Sequence, residues 1–165
     1  LLNDDQRYIE TYWSKFENIW FHGDYVLKDE DNLWYMQGRT DDVINVSGHR
    51  MSTAEIEHTV ISHKKISDAA SISIPDEITG EAIVVFFVAE NKDDTNLENE
   101  ITEHISKKIG KIAKPRFIIQ LTDLPKTRTG KIMRRLLKSK ILGKQLGDLS
   151  SLENPHILNE IQKIN

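Results

Sequence analysis

One lysine stands out for its setting. The chain reads Leu124-Pro125-Lys126-Thr127-Arg128-Thr129-Gly130-Lys131-Ile132-Met133-Arg134-Arg135. Pro125 ends whatever precedes it, and Thr, Arg, Thr and Gly build a loop better than a core. Lys131 then sits where a glycine-hinged, mobile turn meets an amphipathic helix. A lysine there is a point charge on a flexible stem, suited to meeting a phosphate or a carboxylate. A P-loop does not fit: it needs Gly at the position of Pro125 and Ser or Thr at the position of Ile132. As a lone Gly-Lys pair this would be a solvated basic loop.

A second stretch upstream changes that reading. It runs Gly38-Arg39-Thr40-Asp41-Asp42-Val43-Ile44-Asn45-Val46-Ser47-Gly48-His49-Arg50-Met51-Ser52-Thr53-Ala54-Glu55. Val43, Ile44 and Val46 read as a short strand, and Ser47-Gly48 as a turn. Ser52 with Glu55 forms a capping box that opens a helix. Arg39 and Arg50 flank the strand and turn, where either alone would be a surface ion pair. The two stretches lie about eighty residues apart and are more specific together than either is alone.

Together they resemble the C-terminal part of AMP-forming acyl-CoA synthetases, in the superfamily of adenylate-forming enzymes. The wording Asn-Val-Ser-Gly-His-Arg, the lysine stretch, and Leu146-Gly147-Asp148-Leu149-Ser150-Ser151-Leu152 are most similar to the acetyl-CoA synthetase branch. The resemblance runs from about Tyr8 to the tail. It implies a two-step reaction: a carboxylate, here acetate, attacks the α-phosphate of ATP to give acyl-AMP and pyrophosphate. The thiol of coenzyme A then displaces AMP. Propionate and acetoacetate follow acetate closely.

The resemblance also implies roles for individual residues. Lys131 matches the catalytic lysine, which bridges carboxylate and phosphate electrostatically and not as a base. In relatives this lysine is reversibly acetylated, so an acetyltransferase and a deacetylase are expected partners; acetylation removes the charge. Asp24 matches the aspartate that accepts hydrogen bonds from the ribose hydroxyls. Arg39 matches an arginine that also reaches the ribose, and Arg50 one that meets the nucleotide phosphates. Asp41 matches the hinge about which the C-terminal domain swings between steps. Ser47 and Gly48 face coenzyme A, with Gly48 admitting the pantetheine arm close to the backbone. Close relatives place an arginine for the coenzyme A phosphate where Ser106 stands; Lys107 is the adjacent basic residue, pointing about 100° away around the helix. A structural cation bound by backbone oxygens is implied at Ile61, His63 and Ile66, whereas His58 and His63, five apart, miss the spacing of two ligands on one helix face. Catalytic Mg²⁺ travels with ATP.

The elements that must position these residues follow from the pattern. Residues 4–15 read as a helix, and residues 18–25 and 33–37 as aromatic-rich strands joined by a polar turn. These exposed-looking strands are expected to be a β-rich remnant of a large N-terminal domain, over residues 1–40. Residues 41–143 read as an α+β domain, a small sheet covered by helices, which the resemblance implies is mobile. Its helices are expected at 53–64, 96–109 and 131–141, and its strands at 43–46, 67–74, 82–89 and 116–121. Thr95 and Glu98 form a second capping box, with Gly110 as the stop. The alternation in Ala70-Ser71-Ile72-Ser73-Ile74 marks a strand with one wet face, and the run from Ile83 to Val88 a buried central strand. Residues 144–165 read as a loose polar tail with a helix near 156–164.

Composition bounds the rest. The 165 residues are 38% hydrophobic and 29% charged and contain no cysteine. That excludes a disulfide framework and thiolate metal sites, and it fits a reducing cytoplasm. The apolar run over residues 83–89 is too short to span a bilayer, and no signal peptide is visible. Residues 126–144 hold eight Lys or Arg and no Asp or Glu; the other 146 residues hold 14 basic and 26 acidic side chains. A basic patch on an acidic chain points to an anionic small ligand. Neither membrane nor nucleic acid is an expected partner: the patch lacks interleaved aromatics. A stand-alone regulatory, partner-binding or nucleic-acid-binding module is the alternative. The phosphate loop, adenine pocket and acyl pocket of the family are missing, so the chain alone is expected to be inactive, and the missing N-terminal domain is its expected partner.

Overall fold

The computed structural model describes residues 4–40, 42–91, 94 and 96–164. Asp41, the expected hinge, and Thr95, expected to open a capping box, lie outside the described residues. The chain divides into two compact units, 1–41 and 42–165.

In the first unit, helix α1 (Asp5–Tyr12) starts at Asp4, whose carboxylate accepts the Arg7 N–H. Strands β1 (Asp24–Lys28) and β2 (Trp34–Arg39) form an antiparallel hairpin with a bulge between Tyr25 and Val26. The first strand therefore begins later than expected. Asn18 (φ +57°) and Gly23 (φ +90°) take left-handed conformations that interrupt an extended run. Among the described residues of this unit only Gly23 is buried. The aromatics pair with one another, as Tyr12 stacks on Trp20 at 5.7 Å, yet Trp20, Trp34 and Tyr35 remain exposed.

The second unit is built on strand β6 (Gly80–Ala89), the continuous apolar run. Its alternate residues feed two cores. Ile83, Val85 and Phe87 face one cluster; Ala82, Val84 and Phe86 face the other. Side chains alternate across a strand, so a run that is apolar at every position needs cover on both faces. Strand β5 (Ile66–Asp76) pairs antiparallel with β6 along one edge. On the other edge come β3 (Val43–Val46), joined at Val46–Gly80, and then β7 (Phe117–Gln120), which runs parallel to β6 at 84–87. Strand β4 (His49–Ser52) completes a hairpin with β3. Helices α2 (Thr53–Ile61) and α3 (Leu97–Lys108) bury Ile56, Val60, Leu97, Ile101 and Ile105 in the first core. Helix α4 (Arg134–Ile141) buries Leu136, Leu137 and Ile141 in the second. This is an α+β fold with a small mixed sheet between helical layers.

Three expectations change in this unit's sheet and helices. Strand β4 carries polar His49 and Arg50 and has no apolar alternation, so only its partner reveals it. The expected wet face of β5 is buried: Ser71 is fully enclosed and Ser73 nearly so. There the Ser71 N–H donates to Glu57 Oε1 at 2.7 Å, and the Ser71 hydroxyl donates to the Thr53 carbonyl. Arg134 in turn grips Glu57 with two N–H groups, at 3.0 and 2.6 Å. An outer sheet edge is thereby closed by a helix-borne carboxylate rather than by water. Helix α3 begins after Asn96, which makes no side-chain cap bond.

The tail is not loose. Ile157, Leu158 and Ile161 are buried in the second core, and residues Pro155–Asn159 form a 3₁₀ helix rather than the longer helix expected. The apolar residues there are spaced for one turn against a groove, too few to signal an element by periodicity. Among the described residues no helix is long and apolar enough to cross a membrane.

Candidate functional site

Lys131 projects from a tight hairpin that precedes α4, so the helix begins three residues later than expected. Lys126 and Ile132 form an antiparallel bridge. The Gly130 N–H donates to the Thr127 carbonyl at 2.8 Å, and Gly130 takes φ +82°. The Lys131 N–H donates to Thr127 Oγ1 at 3.1 Å, and its carbonyl accepts the Thr127 N–H at 2.9 Å. The side chain is exposed and lines a shallow open groove with Thr127, Arg128, Thr129, Ser150 and Ser151. Two cations and four hydroxyls in one groove form a surface that attracts oxyanions.

The hairpin is anchored from beneath. Lys126 Nζ meets Asp68 Oδ2 at 2.7 Å and Asp123 Oδ1 at 3.1 Å. The hydrogen bond from Asp68 outweighs burial and raises the Lys126 ammonium above its usual range, with Asp123 adding to it. Burial works to raise the Asp123 carboxyl, but the Leu124 N–H, Lys126 and Asn154 together hold it below the usual carboxylate range.

The Ser47–Gly48 turn lies elsewhere. Ser47 (φ +50°) and Gly48 (φ +84°) are the central pair of the β3–β4 hairpin. Two left-handed residues match the strand twist of a two-residue hairpin loop. The Ser47 N–H donates to the Thr79 carbonyl at 2.9 Å, and a Cβ on Gly48 would meet nothing within 4 Å. The turn therefore offers bare, accessible backbone. Arg50 stands on β4 opposite Asn45 and is exposed.

These positions can be placed along β6. Thr79 precedes Gly80 at the start of the strand, whereas Asp68, which holds the lysine hairpin, pairs with Val88 at its far end. Eight residues of strand separate them, about 26 Å. Helix α3 runs back along β6. Its N-terminal Glu100 shares Lys65 with Asp94 beside Ala89, and the chain beyond its C-terminus returns through the Arg116 N–H to the Ile83 carbonyl. The C-terminal residues Ser106, half-buried, and Lys107, exposed, thus lie toward the Ser47–Gly48 end. There Lys111, Lys114 and Arg116 line a cleft with Val46, Ile78 and Thr79, in which Asp76 pairs with Arg116 and Glu81 adds a second carboxylate; the sequence alone did not single these residues out.

The structure brings Asp24 and Arg39 together on the first unit, directly opposite each other in the β1–β2 hairpin. Asp24 pairs with His22. The Arg39 guanidinium lies against Gly23, where a Cβ would come within 3.2 Å of it. Ile61, His63 and Ile66 occupy the turn between α2 and β5. The His63 carbonyl accepts the Ile66 N–H at 2.9 Å, and His63 Nδ1 is buried without a partner. Among the described residues no group of three or more His, Asp or Glu is arranged to hold a metal ion.

Known proteins match this architecture. Residues 55–131 match the AMP-binding enzyme C-terminal domain. The chain is 44% identical over 162 residues to acetyl-coenzyme A synthetase of Streptomyces avermitilis, covering 96% of this chain and 25% of that protein. The corresponding enzyme of Pyrobaculum arsenaticum is also 44% identical, with 97% and 24% covered. The crystal structure of an anthranilate CoA ligase in complex with anthranoyl-AMP superposes with a TM-score of 0.66 at 35% identity, over 75% of this chain and 25% of that one. The chain spans about a quarter of the length of the curated relatives it matches. Over residues 55–131 the chain carries the C-terminal domain of AMP-binding enzymes.

Proposed function

We propose that this chain is the C-terminal portion of an AMP-forming acetate–CoA ligase, serving both half-reactions with different surfaces. Lys131 supplies positive charge where the acetate carboxylate meets the α-phosphate of ATP. That step brings two anions together, so a preplaced cation lowers its barrier more than it stabilises the separated reactants. Asp24 and Arg39 hold the ribose, and Arg50 meets a phosphate. The unit then turns about Asp41, and the Ser47–Gly48 backbone comes up to the pantetheine arm. Ser106, Lys107 and the basic cleft beside the turn face the phosphates of coenzyme A. Mg²⁺ enters with ATP.

The observation that supports this reading best is that the anchors of the Lys131 hairpin and of the Ser47–Gly48 turn lie at opposite ends of β6. One active site cannot meet both ends at once, so the two steps need two placements of the domain. The chain by itself lacks the phosphate loop and acyl pocket, and is inactive alone. The experiment is acetate-dependent exchange of labelled pyrophosphate into ATP. The purified chain should give none. Joined to the preceding three quarters of the Streptomyces avermitilis relative, it should restore exchange, and Lys131→Ala should lower that exchange by about 10²- to 10³-fold. Exchange by the isolated chain, or exchange undiminished by Lys131→Ala, overturns the reading.

A further inference from the structure

The segment after α4 returns to the lysine hairpin. Arg135 Nη2 donates to the Asp148 carbonyl at 2.7 Å and fixes the return path. Leu152 then pairs with Thr127 in a single antiparallel bridge, and the Glu153 N–H donates to the Lys126 carbonyl at 2.9 Å. Asn154 follows, 9% exposed. Its Oδ1 accepts the Lys126 N–H at 3.1 Å. Its Nδ2 donates to Asp123 Oδ2 and to the Leu124 carbonyl, both at 2.8 Å. All three partners belong to the first limb of the hairpin or to the two residues before it.

Asn154 also occupies the N-cap position of the 3₁₀ helix Pro155–Asn159, but its side chain makes no cap bond. Asn favours such positions because its side chain satisfies the helix's orphan N–H groups. Here that use is forgone, and the buried amide is committed to the hairpin. A buried amide is costly unless its groups are bonded; this one makes three hydrogen bonds of the four available to it. Ile157, Leu158 and Ile161 fasten the segment to the second core just beyond, and Ser150 and Ser151 line the Lys131 groove just before.

We propose that Asn154 is a positioning residue for Lys131: it fixes the first limb of the hairpin, so that the ammonium is presented from one direction. The proposal rests on the reading of Lys131 as the adenylation lysine. Two variants test it, Asn154→Ala and Asn154→Asp; the latter keeps the size and the acceptor but loses both donors. Glu153→Ala, which removes only an exposed side chain 3.6 Å from Arg128 Nε, is the control. In the purified chain, amide hydrogen exchange at Gly130 and Lys131 should quicken about tenfold in both variants, while Val85 and Phe87 in β6 stay protected. In the joined enzyme, acetate-dependent pyrophosphate exchange should fall about 10²-fold. Thioester formation from preformed acetyl-AMP and coenzyme A should keep its rate, which a general loss of fold would not allow.

Unchanged amide exchange at Gly130 and Lys131 overturns the clamp. So does undiminished pyrophosphate exchange in an enzyme that Lys131→Ala inactivates, and so does an equal loss of both half-reactions with β6 intact. If Lys131→Ala itself leaves exchange intact, the adenylation reading has failed, and with it the positioning role.

Discussion

The two ends of β6 are built on opposite plans. At the lysine end, side chains do the holding. Lys126 joins Asp68 and Asp123, Asn154 joins both the hairpin and its approach, and the tail bridges Thr127 through Leu152. At the other end, the Ser47–Gly48 turn is set by two left-handed residues and one backbone bond to Thr79. The difference follows from what each end presents. Lys131 offers a charge on a long flexible stem, so the platform beneath must be stiff for the charge to arrive in one place. The turn offers its own backbone, whose conformation is set by two left-handed residues and whose Gly48 has open space beside it.

The largest expected effect removes the lysine. In the joined enzyme Lys131→Ala should lower pyrophosphate exchange by about 10²- to 10³-fold, the range for losing one preplaced charge-stabilising group. It should spare thioester formation from acetyl-AMP. If both half-reactions fall together, the division between the ends is broken.

Next is the joint that spans β5. Glu57→Ala leaves Arg134 and the Ser71 N–H without their carboxylate. The side chain of Arg134 is 25% exposed, so water recovers part of the loss. We expect about 2 kcal/mol of destabilisation, below the range for a fully buried pair, read as a lower urea midpoint of the purified chain. An unchanged midpoint would show that the sheet edge needs no closure.

A smaller effect is expected at the turn. Gly48→Ala has room for its Cβ, but its φ of +84° strains an L-residue by about 1 kcal/mol. Thioester formation should drop roughly tenfold with pyrophosphate exchange unchanged, the mirror image of Lys131→Ala. Loss of exchange instead would place the turn in the first step.

The smallest effect is the pH response of the lysine hairpin. Asp123 is lowered in the folded chain, so its contribution is complete above its unfolded value, about 3.9, and is lost as pH falls through the lower folded value. Lys126 is raised, so its contribution is complete below its unfolded value, about 10.4, and is lost as pH rises through the higher folded value. Chemical shifts of the Gly130 and Lys131 amides should therefore be level between these limits and move together at both extremes. Movement near neutrality would point to a different group holding the hairpin.

Much of this was legible in the chain. The unbroken run Ile83–Val88 could only be a strand covered on both faces, and β6 is that strand. Ser52 as a cap gave the start of α2, and Gly110 as a stop gave the end of α3. Strand β4 escaped notice because His49 and Arg50 carry no strand signal; its pairing is dictated by the turn before it. Ser71 and Ser73 looked solvent-facing because alternation records polarity, not exposure. It does not record that a carboxylate from another helix lies opposite. The basic cleft of Lys111, Lys114 and Arg116 could have been noticed as a charge cluster, but its place beside Ser47 depends on the direction of α3.

By itself, the sequence determined the identity of the domain and the residue types available for chemistry. A glycine beside a lysine, or an arginine after a turn, keeps its chemical capacity wherever the chain goes. Only the tertiary structure decided that the anchors of the lysine hairpin and of the Ser47–Gly48 turn stand about 26 Å apart along one strand, and that the polar tail bridges the hairpin at Thr127. Both facts depend on pairings between residues distant in sequence. Thr127 meets Leu152, and Lys126 meets Asp68, through contacts that no local pattern encodes, because hydrogen bonds and ion pairs record proximity in space.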